Sequence, residues 1–249
     1  MPRLVSTRLL AACALALLLS FALAAPALGK GVSANLRVVG KAGKALTEQT
    51  LSTSTISIKT SKQAKCFGTE NAGSGASVTV KGATAMGLLA QAAKTTSALR
   101  PLLITDAFDF GLGICGIGGN VVSGKASWYL KVNHKGSMVS GDAVKLKPGD
   151  EVLWDLAPSY PYPNELALVA PKTAAAGTPF KVTVYSYDEK GKRKPLAGAT
   201  VTGASAPTAA DGTTTVALTE PGEIRATHGK DIPSAAAAVC AGGPCPPAS

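Results

Sequence analysis

The chain has 249 residues, a formal charge of +10, 27 glycines and 16 prolines, and only 5% of its residues are aromatic. Low charge density, few aromatics and abundant Gly, Thr, Ser and Val describe a β-rich protein, not a coiled coil or a helical bundle. Two histidines in the whole chain leave little material for histidine-based metal or acid–base chemistry.

The chain opens with a leader. Arg3 and Arg8 form a basic segment, Leu9 to Leu23 is almost wholly apolar, and Ala22-Leu23-Ala24 is a small-x-small cleavage site. Residues 1–24 are therefore expected to be a secretory signal peptide. The apolar run is shorter than the about 20 residues that span a bilayer. No transmembrane segment is expected in the mature chain, which is placed outside the cell, secreted or held on the envelope. Removing Arg3 and Arg8 from the formal +10 leaves +8. Cys13 leaves with the leader. Cys66, Cys115, Cys240 and Cys245 remain, an even number in an oxidising compartment. Three pairings are possible, and Cys66–Cys115 with Cys240–Cys245 is favoured because each pair stays within one predicted domain.

Residues 30–157 read as a first domain. Val32–Val39 is a strand, and Thr55–Lys59 alternates polar and apolar residues as a half-buried strand does. Val78–Val80 is a further short strand. Thr84 is a suitable N-cap for the one convincing helix, with Met86, Leu89, Ala90 and Ala93 on one face. Leu102–Phe110 returns to strand character. Gly111–Gly116 fits G-x-G-x-x-G, but no helix follows it to hold a pyrophosphate, so it reads as a tight loop around Cys115. Ser127–Asn133 and Glu151–Leu156 are strands, the second preceded by Lys147-Pro148-Gly149-Asp150, the residues of a type II turn. Alternation places Trp128, Leu130 and Val132 on one face and Tyr129, Lys131 and Asn133 on the other. Trp154 shares a face with Val152 and Leu156. Both tryptophans are thus expected in the core.

Residues 158–163, Pro-Ser-Tyr-Pro-Tyr-Pro, form a stiff linker. Residues 164–239 carry short strands with turn signals about every ten residues, the pattern of a small antiparallel sandwich. Residues 240–249 are expected to be a disordered tail.

Two resemblances accompany this reading. Trp128-Tyr129-x-x-Val132-Asn133 followed by Lys147-x-Gly149-Asp150-x-Val152-x-Trp154, with Gly82–Leu89 ahead of them, resembles the transcobalamin C-terminal-like domain of bacterial secreted proteins, over roughly residues 32–156. It implies a β-grasp fold of the soluble-ligand-binding type. Transcobalamin-type carriers join such a domain to an all-helical barrel, which this sequence does not encode, so cobalamin binding does not carry over. Pro195-x-Ala197-Gly198-Ala199-x-Val201 and Asp211-Gly212-x-x-x-Val216 resemble bacterial Ig-like and carboxypeptidase-regulatory-like modules, implying a spacer. The expected fold class is α+β: a β-grasp-like domain with one main helix, then a small antiparallel β-sandwich.

No catalytic set stands out. His134 and His228 sit in turn-like sequence without a nucleophile motif, and Asp106, Asp109, Asp150 and Asp155 show no spacing that signals a carboxylate pair. No cofactor or metal is expected. Nucleic acid is excluded as a partner by export and by the absence of aromatics among the cations of Lys190–Lys194. The expectation is a non-enzymatic binding protein, with Tyr129, Lys131, Asn133, Tyr160 and Tyr162 as candidate ligand-binding residues. The alternatives are a purely structural or adhesive envelope protein and an extracellular hydrolase. The partner is an unknown small ligand or an anionic envelope polymer, the latter meeting Lys190–Lys194.

Overall fold

A computed structural model describes residues 31–245, which belong to one compact unit. The residues read as a leader, with the expected cleavage site and Cys13, lie outside the described residues, as do the last four residues. No helix among the described residues is long and apolar enough to cross a membrane.

The first ten strands are β1 Val32–Val39, β2 Ala45–Thr53, β3 Ile56–Lys59, β4 Ser77–Val80, β5 Leu102–Thr105, β6 Gly113–Ile117, β7 Asn120–Val121, β8 Ser127–Val132, β9 Lys135–Gly136 and β10 Glu151–Ala157. Helix α1, Ala85–Thr95, lies between β4 and β5. The remaining strands are β11 Glu165–Val169, β12 Thr173–Ala174, β13 Phe180–Tyr187, β14 Arg193–Pro195, β15 Thr200–Val201, β16 Thr213–Val216, β17 Gly222–Ile224, β18 Ala226–Thr227 and β19 Ala237–Ala241.

The main sheet has the order β2-β1-β10-β8-β9, with β1 and β10 parallel and every other pair antiparallel. Strand alternation gives it two working faces. Ala34, Leu36, Val38, Leu130, Val152 and Trp154 point toward α1 and form the larger core with it. Helix α1 is buried on nearly every side: eight of its eleven residues are buried. Its N-terminus is capped as the sequence predicts, with the Gly87 amide donating to Thr84 Oγ1 at 3.0 Å. The opposite face presents Arg37, Val39, Tyr129, Lys131, Leu153 and Asp155, all buried. Val39 and Leu153 pack there on Ile232 from the second half of the chain. A separate core of Leu166, Val182, Val184, Val201, Val216, Ile224 and Val239 holds that second half together.

This arrangement corrects the expected fold class. The chain is mostly β, with 42% strand and 9% helix, and its strands divide among six sheets. It is not a β-grasp domain followed by a sandwich. In the first half, β3-β4 and β5-β6-β7 form satellite sheets of their own. The irregular, Gly- and Ser-rich stretches between them break the hydrogen-bond ladder that would join them to the main sheet. In the second half, strands of two to five residues, apart from the eight-residue β13, pair into small sheets of order β11-β13-β14 (with β16 also on β13), β12-β19-β17 and β15-β18. Such short strands, each ended by a turn, cannot build two continuous facing layers.

Smaller differences follow the same logic. The glycine run read as a loop contains β6, in which Gly113 and Gly116 sit in the strand and Cys115 is fully buried. The final strand, β19, continues through Cys240 to Ala241, and Thr173 pairs with Cys240. The disulfides are Cys66–Cys115 and Cys240–Cys245. The Lys147–Asp150 turn forms as read, with the Asp150 amide donating to Lys147 O and Gly149 at φ 85°.

Candidate functional site

The apolar side chains that the fold leaves exposed are not scattered. Seven large ones are exposed among the described residues, and five of them, Phe67, Phe110, Met138, Val139 and Tyr160, line a single cleft of about 840 Å³. Phe110 is 72% exposed, Met138 90% and Tyr160 75%. Isolated exposed apolar residues are ordinary, but their convergence on one concavity is not.

The inner wall of the cleft is the end of the main sheet where Trp128, Tyr129 and Leu130 of β8 adjoin Trp154 of β10. Trp154 is 4% exposed and belongs to the larger core, yet part of its ring reaches the cleft. Its indole Nε1 is buried without a hydrogen-bond partner, whereas Trp128 Nε1 donates to Asn120 O at 3.2 Å. Gly141 packs against the Trp154 ring so closely that a Cβ there would lie 2.7 Å from it. One rim comes from Phe108 and Phe110, whose rings stack at 4.9 Å, and from Phe67 beside the Cys66–Cys115 disulfide. The facing rim, residues 137–141, is tied to the first by Ser140 Oγ donating to Phe110 O at 3.0 Å. Just beyond it, Asp142 Oδ1 accepts from the Leu112 amide at 3.1 Å.

Three tyrosines close the remaining side. Tyr162 stacks on Tyr129 at 3.8 Å, and Tyr160 meets Tyr162 edge-on at 5.6 Å. The Tyr129 hydroxyl donates to Glu189 Oε1 at 2.9 Å. Burial first, and the Glu189 hydrogen bond and charge second, push that hydroxyl well above the ordinary tyrosine range. Gly136 makes the reach possible, since a Cβ there would lie 1.8 Å from the hydroxyl oxygen. Among the described residues, Glu189 is the only carboxylate lining the cleft, and no histidine, lysine or arginine lines it. Such a surface can stack on and desolvate a flat apolar group.

The structure thus brings together Tyr129, Tyr160 and Tyr162 and separates them from the other two candidates. Lys131 is 1% exposed beneath the second half of the chain. Asn133 is a turn residue. It and His134 have φ of 50° and 67° in the two-residue β8–β9 hairpin, and its amide bridges Asp150 Oδ1 and the Glu151 amide, each at 2.9 Å. Phe67, Phe108, Phe110 and Met138 escape a reading from alternation because they lie in irregular segments. Their signal is apolar bulk inside Gly- and Ser-rich loops.

The second concentration of chemistry lies behind the sheet. Arg37 donates to Glu165 and to Pro233 O. His134 lies in a turn, as its sequence suggests, but its ring is largely covered. Its ring stacks on Tyr187 at 3.8 Å, with Nδ1 3.1 Å from Glu165 and Nε2 3.3 Å from Glu151. The Nδ1 approach lacks hydrogen-bond alignment. Lys131 Nζ has no hydrogen-bond partner, and neither has Glu165 Oε2. Burial raises the Asp155 carboxyl to about 7 against the pull of Arg37 and Lys131. Burial also lowers Lys131, against Glu165 and Asp155. For Glu165 burial acts upward, but His134, Arg37 and Lys131 together outweigh it and hold the carboxyl below its usual range.

The other sequence candidates are occupied locally. Asp106 accepts from the Ser74 amide and hydroxyl, Asp150 from the Lys147 amide in its turn, and His228 Nδ1 lies 2.8 Å from Asp231. The cations of Lys190–Lys194 sit on the β13–β14 hairpin, whose turn is organised by Asp188 Oδ1 accepting from the Lys190 and Lys192 amides.

No family model, curated protein or solved structure matches the chain.

Proposed function

We propose that this chain is an exported, non-enzymatic binding protein that takes an uncharged, ring-bearing apolar ligand into the aromatic cleft. The observation that carries this reading is the convergence of Phe67, Phe110, Met138, Val139 and Tyr160 on one concavity. Its volume of about 840 Å³ falls within the range of small-molecule sites. The stacked pairs Phe108–Phe110 and Tyr129–Tyr162 offer flat faces for a ring, and Glu189 is already engaged by Tyr129. Export is supported by the leader sequence and by two disulfides.

The test is direct. Small molecules that copurify with the natively secreted protein are identified by mass spectrometry, and affinity is then titrated with the uncharged dye N-phenylnaphthylamine. Phe110 and Tyr160 are exposed, so a Phe110→Ala/Tyr160→Ala double variant keeps its fold. Each aromatic contact contributes on the order of 1 kcal/mol, so affinity should fall roughly tenfold or more. Equal affinity of wild type and double variant overturns the cleft as the site.

One observation favours an adhesive envelope role as a second reading: Lys190, Lys192, Arg193 and Lys194 crowd one exposed hairpin tip. Retention on anionic envelope polymer would then be released by salt and lost on reversing those charges.

A further inference from the structure

A polar residue stands at the end of an apolar row in the second core. On β13, Val182 and Val184 point into that core, and Ser186 is the next residue on their face. Ser186 is 1% exposed, and its Oγ is buried without a hydrogen-bond partner. A hydroxyl left in that state costs stability and calls for a partner. Ser186 lines a cavity of about 240 Å³ with Asn164, Asp188, Lys192 and Lys194. Strand register explains why these five meet. Ser186 pairs with Leu166 of β11 on one side and with Lys194 of β14 on the other. Asn164, Asp188 and Lys192 each stand two residues from one member of that row, on the same face. The Asp188 amide donates to Lys192 O at 3.2 Å and so continues the register. Among the described residues Asp188 is the one carboxylate of the cavity, and its Oδ1 already accepts from the Lys190 and Lys192 amides at 2.9 and 2.8 Å. Arg193 stands on the other face, where its guanidinium lies 4.4 Å from the centre of the Tyr185 ring.

We propose that this cavity is a phosphate site, with Ser186 Oγ as the donor at its floor and Lys192 and Lys194 as the charges at its mouth. Both lysines are exposed and carry their ammonium groups on flexible stems. An anion that draws those groups inward finds the hydroxyl beneath them. The Asn164 side-chain amide adds a neutral donor. The donor set discriminates among anions. Two ammonium groups, a hydroxyl and an amide converge from three neighbouring chain segments. That arrangement suits a phosphate group, which has several strong acceptor oxygens and nearly a double charge. A planar carboxylate is matched best by the fork of an arginine, and the arginine of this hairpin faces away. The cavity is smaller than a site for a drug-sized molecule, so it takes one phosphate group, either the free ion or the end of a larger molecule. It shares no lining residue with the aromatic cleft. Nor does it follow from a cationic hairpin tip as such, because it requires Ser186 and only two of the four cations.

Titration of the secreted protein with inorganic phosphate and with methyl phosphate, followed through the backbone amide resonances of Ser186, Lys192 and Lys194, tests it. Saturable shifts at those amides are expected. Methyl phosphate binding as tightly as inorganic phosphate, or more tightly, assigns the site to the end of a larger molecule, and a preference for inorganic phosphate assigns it to the free ion. Acetate should bind much more weakly than either. Ser186→Ala should weaken phosphate binding about tenfold, the share of one hydrogen bond to a charged group. Its urea midpoint should equal or exceed that of the wild type, since the substitution deletes a hydroxyl that has no partner, so loss of fold does not confuse the result. Lys194→Gln should also weaken binding, whereas Lys190→Gln and Arg193→Gln remove the same charge outside the cavity and should leave the affinity nearly unchanged. Phosphate that shifts none of the cavity amides overturns the inference, and so does unchanged affinity in Ser186→Ala. Equal losses in all three charge variants overturn it too, and are the result that a diffuse cationic hairpin retained on envelope polymer would give.

Discussion

Arg37 shows how one side chain can join two parts of a molecule. It stands on the face of β1 turned away from the helix and donates to Glu165 of β11 and to Pro233 O. Both ends of the pair are buried, so the sensible comparison is with a broken pair and not with an apolar one. Arg37→Ala leaves Glu165 facing Lys131 and His134 without its main partner, and should cost about 3–5 kcal/mol in urea unfolding. A cost below 1 kcal/mol would mean the pair is wet. Asp155 carries a pH signature whose sign follows from its environment. Burial raises its folded value above the unfolded 3.8, so its contribution is fully present below that value and is lost as pH rises through the folded one, about 7. In a Lys131→Met chain the loss of a nearby cation moves Asp155 further in the same upward direction. The urea midpoint of that variant should therefore fall between pH 4 and 7, and a midpoint flat across that range would mean that Asp155 is not buried as a neutral acid. Glu165 works with the opposite sign, since its folded value is lowered: its contribution is present above its unfolded 4.5 and lost in stronger acid. Of the side chains just discussed, the sequence singled out Lys131 as a ligand-binding candidate and weighed His134 and Asp155 only as catalytic candidates that it set aside, while Arg37 and Glu165 drew no attention. Period-two alternation placed Lys131 opposite Leu130 correctly. It could not report that a second layer would cover that face, because the covering residues, Glu165 and Ile232, lie 34 and 101 positions away.

At the scale of elements, legibility tracked local physics. Strand β1, the α1 cap at Thr84 and the Pro148-Gly149 turn depend on neighbours in sequence, and each forms where the residues indicate. Elements defined by distant partners were harder. Strand β6 is glycine-rich and reads as a loop, yet β5 and β7 supply its hydrogen bonds, and Phe108 and Leu103 occupy the space its missing side chains leave. The second half was read as one sandwich because turn spacing counts strands without saying which ones pair. The Cys66–Cys115 bridge is the element-scale feature with the clearest consequence. It ties the loop carrying Phe67 to β6, with a sequence separation of 49. Closing a loop of that size stabilises by about 4 kcal/mol in the chain-entropy model. Replacing both cysteines with Ala should lower stability by that order in urea unfolding and weaken dye binding, because one rim of the cleft loses its tether. Unaltered affinity would place the ligand away from Phe67.

The whole molecule is two cores that share a wall. Arg37–Glu165, Arg225–Glu48 and the Val39–Leu153–Ile232 contact connect them, and residues 158–163 do not simply lead from one to the other, since Tyr160 and Tyr162 pack into the cleft wall. The tyrosines of that connector were legible as candidates because aromatics are rare in this chain. Their pairing with Tyr129 was not, because nothing in the sequence says that the connector folds back. The cleft is accordingly assembled from both halves, with Glu189 arriving from the second. One consequence concerns light. The protein has two tryptophans, and both line the same cleft, Trp128 beside the Tyr129–Tyr162 stack and Trp154 with an unpartnered indole nitrogen. Every photon emitted by indole in this molecule therefore originates at the cleft wall, so the unlabelled chain carries its own optical gauge of whatever enters there.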